Sequence, residues 1–121
     1  MSVVKAKGIK RVINAVVFSL QGLRCAVYHE EAFRQEIILA VLLIPLAFWL
    51  EVSIVERLLL IASVMLVLIV ELLNSGIEAV VDRGGTEYNE LAGRAKDLGS
   101  AAVFLSLLMA GFIWIGIVFF R

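Results

Sequence analysis

Apolar residues gather into long runs separated by short charged segments. From Leu58 to Asp82 the chain reads LLLIASVMLVLIVELLNSGIEAVVD, long enough to cross a bilayer. A second run, Leu98 to Phe120, has 23 uncharged residues with Trp114 near its far end as an interface anchor. A third, Ile37 to Leu50, has only 14 residues. That is too short to span, so this helix must begin in the charged stretch Glu30 to Glu36. Pro45 within it is tolerable because neighbouring helices can satisfy the carbonyl it frees. The segment EVSIVER, 51–57, reads as a wet turn and 83–97 as a second loop. Ahead of the spans, Ile9, Val12, Ile13, Val16, Val17, Leu20 and Leu23 recur at three- and four-residue spacing, with Lys10, Arg11, Asn14, Gln21 and Arg24 opposite them. That pattern predicts an amphipathic helix over 7–28, flat on the membrane surface. It lacks the uninterrupted apolar core and small-residue cleavage site of a signal peptide. The expected fold class is an all-α integral membrane domain over 1–121, with a surface helix at 7–28 and transmembrane helices at 30–50, 58–82 and 98–120.

The third of these helices carries groups that membrane solubility does not ask for. At roughly 100° per residue, Glu71, Asn74, Ser75, Glu78 and Asp82 fall on one polar stripe. A carboxylate in hydrocarbon costs several kcal/mol, so an intramembrane carboxylate marks a site or a polar seam between helices.

Composition supports the membrane reading: 62% of residues are hydrophobic, and the 22 charged ones are clustered. With 11 basic and 11 acidic residues, the chain shows no basic excess for a nucleic-acid partner. Three helices in 121 residues cannot enclose a large shielded cavity, so oligomerisation is expected. Cys25 is the only cysteine, which excludes an intrachain disulfide and supplies no metal motif. Lys5, Lys7, Lys10, Arg11, Arg24, Arg34, Arg83, Arg94 and Lys96 lie on one side of the spans, and only Arg57 and Arg121 on the other. The amino terminus and the second loop are therefore expected in the cytoplasm.

At that interface Glu30 and Glu78, from two helices, are placed to share a divalent cation, and Arg11, Arg24, Arg94 and Lys96 suit phosphate oxygens. Hard oxygen ligands suit magnesium, which binds through one or two carboxylates plus substrate phosphates. This is an inventory for phosphoryl transfer, a reaction that needs charge neutralisation, alignment and one base. Glu71, roughly 10 Å deeper on the same face by the 1.5 Å helical rise, is the candidate base. The loop DRGGTEYNELAGRAKD contains no GxxxxGK[ST] element, and the HRD and DFG signatures are missing, so any kinase activity must use an unrelated architecture. Glu87, Tyr88 and Asn89 suit either a solvated turn or an adenine and ribose contact. Lys96 and Asp97 suit either an interfacial ion pair or phosphate handling.

The stretch VMLVLIVELLNSGIEAVVDRGGTEYNELAGRAKDLGSAAV, with EEAFRQE at 30–36, strongly resembles the small integral-membrane diacylglycerol kinases of bacteria, over nearly the whole chain. Its ending GRAKDLGSAAV is closer to the Gram-negative type than to the undecaprenol kinases. The resemblance implies a homotrimer with active sites shared between subunits in the inner membrane, moving the γ-phosphate of magnesium ATP to diacylglycerol. It makes Glu71 the catalytic base and Glu30 and Glu78 the magnesium ligands, with Asn74 and Asp82 in support. It gives nucleotide contacts to Arg11, Glu87, Tyr88, Asn89, Lys96 and Asp97. Lipid contacts fall to Arg11, Ser19, Arg24, Ala32, Phe33, Arg34, Gln35, Glu36, Trp49, Arg57, Glu71, Ser100 and Trp114. Phe18, at another nucleotide-contacting position, stands where the family carries a tyrosine. Asn89 stands where a histidine is common, so the hydrogen bonds of those family residues do not carry over.

Two other readings stay open on the residues alone. The acceptor alcohol is equally well undecaprenol, because an apolar groove discriminates poorly between alcohols of similar reach. A small proton-coupled transporter would use Glu71 as its proton site, but Leu58 to Val70 offers only Ser63 as a clearly polar side chain and no continuous polar path.

Overall fold

A computed structural model describes residues 7–85, 87 and 89–120. They form four helices in chain order: α1 (Ile9–His29), α2 (Glu31–Trp49), α3 (Ile54–Asp82) and α4 (Glu90–Phe119). The last three are long and apolar enough to cross a membrane. At 1.5 Å per residue α3 is about 43 Å long and α4 about 45 Å, against a hydrocarbon core of roughly 30 Å, so both continue beyond the apolar layer.

The helix ends show why two boundaries differ from the hydropathy reading. Ser53 caps α3 reciprocally: its Oγ accepts from the Glu56 N–H at 3.1 Å, and Glu56 Oε1 accepts from the Ser53 N–H at 2.9 Å. The helix thus starts at Ile54, inside the segment expected to be a wet turn, rather than at Leu58. Asn89 Oδ1 accepts from the N–H groups of Leu91 and Ala92 at 2.9 and 3.2 Å, so α4 starts at Glu90 and takes up half of the expected 83–97 loop. Hydropathy registers the apolar part of a helix and is blind to its wet first turns.

A single extended residue, Glu30 (φ −112°, ψ 108°), joins α1 to α2. Across this elbow Arg34 Nη1 donates to the Val27 and Tyr28 carbonyls at 2.8 and 3.1 Å, satisfying acceptors that the end of α1 leaves open. Arg57 does the same for the end of α2, donating to Ala47 O at 3.0 Å and Leu50 O at 2.9 Å. Gly8, at φ +65°, adopts the left-handed turn that leads into α1.

α3 is the central element, packed against α4 along most of its length and against α2 on another side, while α1 meets α2 and α3 more sparsely. Three polar contacts mark the antiparallel α3–α4 seam. Lys96 pairs with Asp82 at 2.7 Å near one end, Asn74 abuts Gly99, and near the other end the Trp114 indole N–H donates to Leu60 O and Ser63 Oγ at 3.2 and 3.1 Å. Phe33 and Leu60 are the largest fully buried side chains. Most other large apolar residues face outward, including Ile9, Val12, Ile13 and Leu20 on α1. For helices that cross a membrane, that outward face meets lipid or further copies of the chain rather than water.

Candidate active site

The polar stripe of α3 splits into two faces. Glu71, Asn74 and Glu78, spaced by three and four residues, form one connected unit. Asn74 Nδ2 donates to Glu71 Oε2 at 3.4 Å and to Glu78 Oε1 at 3.0 Å. Glu71 is buried at 5% exposure, and no ion pair to Glu71, Glu78 or Glu30 is found among the described residues. Carboxylates held together by one amide, with Lys96 acting on Glu78 only at a distance, form a donor set that attracts a cation. Ser75 instead turns toward α1. With Leu72, Gly76 and Ala79 it lines a hollow of about 540 Å³ whose other wall is Ser19, Gly22, Leu23, Cys25, Ala26 and Glu30. Ser75 and Ala79 flank Glu78 along the helix, so Glu30 borders the same hollow as the two neighbours of that carboxylate.

On α2, Glu36 interacts electrostatically with Glu71 and keeps one buried oxygen, Oε2, without a hydrogen-bond partner. It stands in a groove of about 260 Å³ between α2, α3 and α4, otherwise walled by Leu39, Leu43, Val64, Val67, Leu107, Ala110, Gly111 and Trp114. One carboxylate in an apolar trough suits an acceptor with an apolar body and a single polar head.

A third, wetter cluster lies at the α3–α4 turn. Asp82, Glu87, Asn89 and Lys96 line one open hollow together with Gly84, Gly85 and Gly93. There the side chain of Asn89 is engaged as the α4 cap, and that of Lys96 on Asp82. Tyr88, expected beside them, lies outside the described residues.

The other expected site residues are dispersed. Arg11 shares a groove of α1 residues with Ser19, which also borders the hollow between α1 and α3, and Phe18 and Arg24 are exposed on the same helix. Ala32, Gln35, Asp97 and Ser100 are exposed, as is Trp49 at the end of α2. Phe33 is core rather than surface. Arg34 and Arg57 spend their guanidinium groups on helix ends, and Trp114 turns its N–H into the protein. Sequence reasoning missed the Ser53–Glu56 cap, for which the S-x-x-E spacing was a usable signal. It also missed Gly99, for which no local signal exists.

The family model described as prokaryotic diacylglycerol kinase matches residues 17–118. The diacylglycerol kinase of Haemophilus influenzae is 53% identical over 116 residues, 96% of this chain and 98% of that protein. That of Escherichia coli K12 is 55% identical over 107 residues, 88% of each chain. That of Pseudomonas aeruginosa is 52% identical over 107 residues, 88% of this chain and 87% of its own.

Proposed function

The chain belongs to the prokaryotic diacylglycerol kinase family, a family of lipid kinases, and from that premise we propose that it transfers the γ-phosphate of ATP to the hydroxyl of diacylglycerol, forming phosphatidic acid. Glu71 accepts the hydroxyl proton as the oxygen attacks the γ-phosphorus, and the bond from that phosphorus to the bridging oxygen breaks to release ADP. The observation that carries this reading is the buried Glu71 tied through Asn74 to Glu78 within a membrane-spanning helix. Membership in a kinase family takes the place of the transporter alternative.

Glu30 and Glu78 are the groups that would hold magnesium. The residues fit: both are half-buried carboxylates, and Glu78 accepts one hydrogen bond from the Asn74 amide and feels the charge of Lys96 without forming an ion pair with it among the described residues. The ion would supply neutralisation of the phosphate oxygens. Arg11, Lys96 and Asp97 attend the nucleotide together with Glu87 and Asn89, and Tyr88 retains that role as an expectation. The groove from Glu36 to Trp114 receives the lipid, with its hydroxyl toward Glu71. Within one protomer Arg11 lines a groove made only of α1 residues and has no hydrogen bond or ion pair to Glu71 among the described residues. This favours a homotrimer in which the surface helix of one subunit completes the site of another. The spans lie in the bacterial inner membrane, with the amino terminus and the α3–α4 turn on the cytoplasmic side where ATP is found.

The test is phosphate transfer from labelled magnesium ATP in lipid micelles, with diacylglycerol and undecaprenol offered separately. We expect product from diacylglycerol and a loss of about 10²–10⁴-fold in Glu71→Gln, the usual worth of a positioned base. Preference for undecaprenol would replace the substrate, and full turnover by folded Glu71→Gln would overturn the base assignment. Glu78→Gln should raise the magnesium concentration needed for half-maximal rate.

A further inference from the structure

Asn74 is the hinge of the carboxylate unit, and something must decide which way its amide points. Its Nδ2 serves both Glu71 and Glu78, while its Oδ1 is buried and has no hydrogen-bond partner. The reverse orientation would set that oxygen against two carboxylates. What the oxygen does meet is the backbone of α4 at Gly99, itself buried. A Cβ built on Gly99 would collide with Asn74 Oδ1 and stand 3.4 Å from its Cγ and 3.7 Å from Ile77 Cδ1. Four other helical glycines behave differently. At Gly22, Gly76, Gly111 and Gly116 an added Cβ meets nothing within 4 Å.

We infer that Gly99 is a positioning residue of the kinase: its bare α-carbon is the surface against which Asn74 is held with its amide nitrogen toward the two carboxylates. The inference rests on the reading of Glu71 as base and Glu78 as cation ligand. The obstacle to a larger residue is the far end of one side chain, not backbone. A methyl group at 99 is therefore accommodated by turning Asn74 aside, at little expense to the helix, for which alanine is the better former. The cost falls on the hydrogen bonds that set the carboxylates. A substitution at 99 is thus expected to spare the fold and damage the reaction, the reverse of an ordinary packing glycine.

The experiment compares Gly99→Ala, Asn74→Ala and the two combined, with Gly116→Ala as control, by kcat, magnesium dependence and unfolding temperature in micelles. Gly99→Ala should lose about ten- to a hundredfold in kcat, the range of one lost hydrogen bond to a charged group. It should also need more magnesium, with an unfolding temperature no lower than that of Asn74→Ala, since alanine's helix propensity offsets part of the lost hydrogen bonding. The combined variant should turn over no more slowly than Asn74→Ala alone, because no asparagine is left to displace. If Gly99→Ala assembles poorly by itself, the combined variant must assemble and match Asn74→Ala. Wild-type kcat in Gly99→Ala, or losses that multiply in the combination, overturn the proposal.

A direct readout separates this contact from the catalytic reading. Asparagine occurs only at 14, 74 and 89, so ¹⁵N-asparagine labelling gives three side-chain amide pairs. Gly99→Ala should move the Asn74 pair and leave the other two in place, and an unmoved pair overturns the proposal. A moved pair accompanied by full turnover in both Gly99→Ala and Glu71→Gln would refute the assigned roles of the carboxylates while leaving the contact intact.

Discussion

Replacing Asn74 by aspartate changes the shape of the site by almost nothing and its charge by a whole unit. An aspartate oxygen in the place of Nδ2 would stand 3.0 Å from Glu78 Oε1 and 3.4 Å from Glu71 Oε2. At an effective dielectric of about 20, unit charges at such separations repel by roughly 5 kcal/mol per pair. Sharing of charge between two oxygens, and rotation toward the wetter Glu78 end, relieve part of that. A net loss of about 3 kcal/mol relative to the wild type is the working figure. Asn74→Ala removes the same two hydrogen bonds and adds no charge. At the worth of hydrogen bonds between membrane helices it should lose about 1–2 kcal/mol.

The assay is thermal unfolding of the purified protein in micelles, with chelator and then with magnesium. Without the metal, the isosteric aspartate should be less stable than the truncated alanine, an order that packing alone would reverse. With magnesium the order should close or invert, because three carboxylates bind a dication more tightly than two. Saturation at a hundred times the dissociation constant would restore about 2.7 kcal/mol. An aspartate variant as stable as the alanine variant in chelator would show that Glu71 and Glu78 do not converge on residue 74. Stability unchanged by magnesium in all three proteins would remove the cation site.

Two further substitutions ask whether residues expected at the lipid instead hold the fold. Trp114→Phe deletes the donor to Leu60 O and Ser63 Oγ, and a double-mutant cycle with Ser63→Ala should give a coupling of about 0.6–1.5 kcal/mol; zero coupling would show that the indole does not hold the α3–α4 seam. Arg57→Ala uncaps Ala47 O and Leu50 O and should cost about 1–2 kcal/mol in unfolding with the Michaelis constant for lipid unchanged. A raised constant at constant stability would contradict that account.

Helix type and number, and the polar stripe, were legible because membrane helices carry so little else: a glutamate at 71 stands out against LLLIASVMLVLIV as it would not in a soluble protein. Periodicity placed Ser75 with Glu71 and Glu78, and the fold parts them, since a stripe about a third of the circumference wide is broad enough to face two neighbours. Ser75 went to α1 and Asn74 to α4. The capping roles of Arg34 and Arg57 were hidden because their partners are carbonyls 6, 7 and 10 residues away, set by elbow geometry rather than residue type. Gly99 was hidden for a similar reason: a glycine in GRAKDLGSAAV is ambiguous until the helix it touches is known.

The same geometry supports the proposal that the site draws on more than one subunit. Among the described residues α3 draws one lysine, Lys96, into an ion pair, and that pair is made with Asp82 at the wet end. Arg11 and Arg24 lie exposed on α1 and make no ion pair with Glu71 among the described residues. A triphosphate bridging the Glu78 end of α3 and Lys96 would leave oxygens facing away from the protomer, toward whatever covers the outer face of α4. In the homotrimer proposed above that cover is a neighbour's α1, whose Arg11 then meets phosphate in trans. Mixed trimers of Arg11→Ala and Glu71→Gln subunits, each inactive alone, should recover activity where the two lesions fall in different sites. Absence of any recovery, in trimers shown to be mixed, would place Arg11 and Glu71 in the same protomer's site and refute the shared arrangement.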